Sequence, residues 1–146
     1  MYSTPPSLTG LMPEDELLQL ADDSGVGDLS DPAVQAVLTE AIDQADRDID
    51  GYVGTIQTVP LTDVPGLVAN ISAKLAVHYL FLRRPGVAEP ETWENEASRC
   101  YRLLESIAKG TIVIGPREGE SVEPESEDIL VAAPGRIFTQ ERWREF

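Results

Sequence analysis

Seven apolar residues, Val34, Leu38, Ile42, Ala45, Ile49, Tyr52 and Ile56, recur at steps of four and three, the spacing of one face of an α-helix. Ser30 or Asp31 stands ready as N-cap and Pro32 suits a first turn, so the pattern predicts one helix of about six turns from Pro32 to Ile56. A helix that long with one greasy face must bury it against other elements, which constrains the chain to a packed helical assembly. One competing reading exists. Residues 46–51, Asp-Arg-Asp-Ile-Asp-Gly, fit the opening of an EF-hand calcium loop. Loop and helix exclude each other, because at ~100° per residue Asp46 and Asp48 point ~200° apart and cannot converge on one ion. Position twelve of such a loop would be Gln57 rather than a bidentate glutamate, and Val59-Pro60 blocks the helix that should follow. The helix is preferred, with its aspartates facing water.

Other helices follow from the same rules. A short one is expected from Pro13 to Ala21, where Glu14, Asp15 and Glu16 place negative charge in the first turn and Leu17, Leu18 and Ala21 form an apolar patch. Pro65 opens another, with Thr62 or Asp63 near its cap and Arg83-Arg84 at its end before Pro85-Gly86. In it Leu67, Ile71, Leu75, His78 and Leu82 line one face, while Ala69, Ala73, Ala76, Val77 and Leu80 make the other sides nearly as apolar, the pattern of a central helix. The last runs from Pro90 to Lys109 on Trp93, Ala97, Cys100, Leu104 and Ile107, with Gly110 past its C-terminus and Thr111–Ile114 as a possible short strand. The fold class is therefore all-α: a small bundle of three long helices and a short N-terminal one, continued by an extended C-terminal arm. Gly51 and Gly54 weaken the first long helix unless another backbone approaches them.

At 146 residues the chain holds one core, expected within residues 1–115. Residues 116–128 carry six carboxylates against one cation with almost nothing apolar, which predicts a solvated linker. Residues 129–146 turn apolar and aromatic again, and Arg136, Ile137, Phe138, Trp143, Arg144 and Phe146 are the residue types that dominate binding hot spots. This segment is expected to dock on a partner. With 26 carboxylates, 11 cations and a formal charge of −15, the protein should be repelled by nucleic acids and anionic membranes. Its N-terminus lacks the pattern of a signal peptide and no stretch is apolar enough to span a bilayer, so a soluble protein made in the cytoplasm is expected.

Candidate chemistry is sparse. His78 is the lone histidine and sits amid an apolar stripe, which suits a hydrogen-bonded core or interface residue better than a catalytic base. Cys100, the lone cysteine, cannot form an internal disulfide and reads as a small buried hydrophobe rather than a nucleophile. Helix-dipole stabilisation accounts for Glu14, Asp15 and Glu16 without acid-base catalysis, and Gly25-Val26-Gly27 lies among aspartates hostile to phosphate. Arg83 and Arg84 suit the negative end of a helix and could also grip a partner's carboxylates. No active site, cofactor or metal is expected.

Several short motifs together resemble a known family. Ala41-Ile42, Ala45, Ile49-Asp50-Gly51-Tyr52, Val59-Pro60-Leu61, Val64-Pro65, Leu67, Ala76, Tyr79-Leu80 and Arg83-Arg84 are similar to the Mu-like phage neck proteins that join head to tail. So are residues 16–23, Ile107-Ala108-Lys109-Gly110, and the closing Pro134-Gly135-Arg136-Ile137-Phe138 with Trp143 and Phe146. Gln57-Thr58 departs from an arginine-tyrosine pair usual in that family. The resemblance implies a structural head-tail adaptor of the virion neck, assembled in the host cytoplasm as a ring, commonly of twelve copies. Its partners would be further copies of itself, the portal protein, and a tail-side neck or tail terminator protein, with DNA passing as non-adhering cargo. An acidic mimic of DNA that inhibits a nucleic-acid-binding enzyme is the alternative that the charge suggests.

Overall fold

The computed structural model describes residues 1–115, and within them five helices account for the regular structure. They are α1 (Pro5–Thr9), α2 (Glu14–Ala21), α3 (Pro32–Val53), α4 (Gly66–Arg83) and α5 (Glu91–Ala108). The linker 116–128 and the arm 129–146 lie outside the described residues.

Helix α3 starts as its sequence predicts. Asp31 caps it, its carboxylate accepting from the Ala33 N–H at 2.8 Å, and Pro32 occupies the first turn, where the absent N–H goes unmissed. It stops earlier than the apolar stripe, at Val53 rather than Ile56, because the chain tightens there: the N–H groups of both Ile56 and Gln57 turn back to the Val53 carbonyl. Ile56 is left 41% exposed. A Cβ on Gly54 would stand 2.7 Å from the Asp50 carbonyl oxygen, so the turn leaves no room for a side chain there. Gly51, by contrast, has nothing near its missing Cβ; no backbone approaches it.

Helix α4 is the centre of the molecule. Val68, Ile71, Ala73, Leu75, Ala76, Val77, Leu80 and Phe81 are buried around most of its circumference, as expected for a helix packed on several sides. Leu82 corrects the expected stripe, being 61% exposed in the last turn. The cap is Pro65 itself rather than Thr62 or Asp63.

Helix α5 closes with a Schellman motif. Gly110, at φ 74°, directs its own N–H to the Ile107 carbonyl and lets the Thr111 N–H reach Ser106. The strand expected at Thr111–Ile114 is not formed; these residues are irregular, with Ile114 buried and its carbonyl accepting from the Gln57 side chain at 2.8 Å. A two-stranded pairing needs a neighbouring strand, and the described residues contain none.

The element that the sequence did not announce is α1. Five residues are too few to show a period, yet Leu8 is fully buried and Tyr2, just upstream, is 6% exposed. α1 and α2 pack against α3 and α4 without touching α5, whereas α5 packs on α3 and α4 alone. The α3/α4 pair thus has an N-terminal flank covered by α1 and α2, and a second flank covered by α5.

Candidate functional site

The three aspartates of the calcium-like stretch lie within α3 and are held by protein groups on both flanks. Asp46 is buried and accepts from the Tyr2 N–H at 2.7 Å and the Ser72 hydroxyl at 2.6 Å; the Ser3 hydroxyl lies 2.8 Å from that of Ser72. Asp50, one turn on, accepts from the Tyr2 hydroxyl, which in turn accepts from the Leu61 N–H at 3.0 Å. Tyr2 therefore bridges two turns of α3 and the loop before α4. Burial, with the Asp50 carboxylate beside it, pushes the Tyr2 phenol up to about 12.

Asp48 points the other way, as the ~200° between alternate helical positions requires. It accepts hydrogen bonds from Tyr79 of α4 and from Tyr101 of α5, the latter at 2.8 Å, and the rings of Tyr52 and Tyr101 lie 6.4 Å apart. Burial is the first cause that raises both phenols, Tyr79 and Tyr101, and the same carboxylate adds to it. The expectation that these aspartates face water is thus corrected. Asp46 lies only ~40° from Ile42 and ~60° from Ile49 on the helical wheel, so its place on the buried face was legible in the spacing. Among the described residues no group of three or more His, Cys, Asp or Glu side chains is arranged to hold a metal ion.

The other singled-out residues also have structural partners. His78 Nδ1 lies 2.8 Å from Glu89, tying α4 to the loop before α5. Cys100 is 2% exposed, and burial pushes its thiol up, which keeps it protonated as a core side chain. Arg83 and Arg84 turn back onto α2: both pair with Asp23, Arg83 and Arg84 both donate to the Leu20 carbonyl at 3.3 Å, and Arg84 reaches the Asp22 carbonyl at 2.6 Å. They satisfy carbonyls that the end of α2 would otherwise leave unpaired. Those guanidinium groups hold the Asp23 carboxyl below its ordinary value.

What the described residues offer is surface. A groove of about 430 Å³ runs along α3, lined by Ala36, Val37, Ala41, Gln44, Tyr79 and Arg83 among others. A smaller one of about 280 Å³ lies beside Gln57, Pro60 and Ile114, between the end of α3 and the loop before α4. The expected docking residues Arg136, Ile137, Phe138, Trp143, Arg144 and Phe146 lie outside the described residues. No helix of the described residues is long and apolar enough to cross a membrane.

Among the described residues the body is all-helical, and the proteins it is similar to are phage proteins of the Mu type. The chain belongs to the bacteriophage Mu Gp36 family, whose model matches residues 2–133. It is similar to the Mu-like prophage FluMu protein gp36 of Haemophilus influenzae, 28% identical over 100 residues that cover 68% of each chain.

Proposed function

We propose that this protein is a structural head-tail connector of a tailed phage, without catalytic activity, assembling as a ring between the portal and the tail. The observation that carries the reading is the acidity of a helical body from a Mu-like phage family: residues 1–115 hold 18 carboxylates and 7 cations. A ring through which DNA slides must not adhere to it, and repeating a body of net charge −11 around a bore supplies that repulsion. In this reading twelve copies form the ring, the portal and a tail-side neck or tail terminator protein flank it, and the virion neck is its location. The arm residues Arg136, Ile137, Phe138, Trp143, Arg144 and Phe146 dock on the neighbouring assembly, and repeating a weak dock around the ring multiplies its strength.

Electron microscopy of the full chain purified with its portal tests this. A ring of added density at the narrow end of the portal is the expected result, and a chain truncated after Gly115 should lose that layer. A portal left bare by the full chain, or equal attachment of the truncated one, refutes the connector role or the arm's part in it, respectively. Salt-sensitive binding to a basic nucleic-acid enzyme in place of the portal would instead favour the DNA-mimic reading.

A further inference from the structure

Charge is distributed unevenly between the two flanks. Residues 1–31 contain seven carboxylates and neither lysine nor arginine. Four of the seven are engaged nearby: Asp22, Asp28 and Asp31 accept from local N–H groups, and Asp23 pairs with Arg83 and Arg84. The remaining three, Glu14, Asp15 and Glu16, form an exposed first turn of α2 with no ion pair. With Leu17, Leu20 and Ala21 buried, Asp15 falls ~160° from the α2 face that meets the core.

The opposite flank opens on Glu91, Glu94 and Glu96, but its C-terminal half carries the counterpart. From Ala97 to Gly115 the chain has Arg99, Arg102 and Lys109 against Glu105, a positive stretch on a strongly negative body. The three cations, two on α5 and Lys109 at its C-cap, fall within ~80° around the helix axis and point away from the buried residues Ala97, Cys100, Leu104 and Ile107. Their charge is poorly satisfied within the chain. Arg99 lies 3.7 Å from a Glu96 that Lys74 already holds at 2.7 Å, and Lys109 lies 3.8 Å from Glu105. Among the described residues Arg102 is the one cationic side chain with no ion pair, although carboxylates there outnumber cations 18 to 7.

We infer that the α5 stripe of one copy, Arg99, Arg102 and Lys109, receives the first turn of α2 of the next copy, Glu14, Asp15 and Glu16. The two patches occupy different flanks of the α3/α4 pair, so each copy presents one of each. Contacts between unlike patches propagate head to tail and close into a ring when the rotation per copy permits. Identical patches could not pair, since stripe on stripe or α2 on α2 sets like charges together. The occupant of the α5 face is therefore a second copy of this chain, an inference that rests on the ring reading above and assigns its interface.

Sedimentation velocity of the full-length chain at low ionic strength tests the pairing through charge reversal and complementation. The wild type should sediment as an oligomer that added salt dissociates, because exposed pairs are screened. Arg99→Glu with Arg102→Glu should run as a monomer, and so should Glu14→Lys with Asp15→Lys. Mixed one to one, they should reassemble, because each flank then meets its opposite charge again. Reassembly also establishes that both variants are folded. Variants that associate like the wild type, or that stay apart when mixed, overturn this interface while leaving the ring reading intact; a wild type that stays monomeric throughout the accessible concentrations overturns the self-association on which both depend.

Discussion

Replacing Asp46 with alanine should destabilise the fold by about 2–4 kcal/mol, since hydrogen bonds to a charged group each contribute about 1.5–3 kcal/mol and a buried donor left alone costs about 1–3 kcal/mol. The two donors fare differently. The Ser72 hydroxyl keeps Ser3 at 2.8 Å as an alternative partner, whereas the Tyr2 N–H loses its acceptor at 2.7 Å. Removing a carboxylate from a nearly dry site returns some desolvation energy, which places the expected value below the sum of the two bonds. Asp46→Asn keeps one acceptor oxygen but turns an amide toward the other donor, so its effect should be smaller, about 1–2 kcal/mol. Asp43→Ala is the comparison, since Asp43 is only half-buried and forms no ion pair. Equilibrium urea unfolding followed by far-UV circular dichroism measures all three. A cycle with Ser72→Ala should show a coupling of about 1 kcal/mol or more, as residues in direct contact do. The reasoning fails if Asp46→Ala proves no more harmful than Asp43→Ala, because the buried carboxylate would then organise nothing.

The two glycines at the end of α3 should respond in opposite directions. Gly51→Ala, in open space on the helix, should raise stability by about 0.5–1 kcal/mol, while Gly54→Ala should lower it by forcing the turn apart, and thermal melts moving the same way would contradict this. At alkaline pH, Tyr2 offers a check on the N-terminal flank. Its folded value of about 12 exceeds the ordinary phenol value of about 10, so its stabilising contribution is complete below the latter and disappears as pH climbs through the former. Urea midpoints of the wild type should fall more steeply than those of Tyr2→Phe between those limits, and parallel curves would remove Tyr2 from the network.

Much of this architecture is written in the sequence as period. The stripe from Val34, the all-round apolarity of 66–83 and the Cys100 face yielded three helices whose ends fall within a few residues of those observed. What period could not supply is equally specific. Ile56 continues the four-three rhythm, but the rhythm does not report that the backbone turns at Gly54. α1 is shorter than one sampling of the pattern. Tyr2 is buried by contacts with residues 44 to 59 positions away, which no local rule reports. Asp46 differs for another reason: its residue type suggests solvent, whereas its angular position between Ile42 and Ile49 on one face announces a satisfied polar group in the core. The uneven charge of α2 and α5 was visible residue by residue, but their placement on separate flanks emerges only from packing.

The seat of Tyr2 has a consequence for the order of events during synthesis. Its acceptors and donors at Asp46, Asp50 and Leu61, and its neighbour's partner at Ser72, all emerge from the ribosome long after it does. A segment made before its partners must wait until the α3–α4 hairpin has closed beneath it. The segment around Tyr2 is thus a latch that can engage only when the central pair is in place, which makes its protection from hydrogen exchange a direct reporter of a finished core.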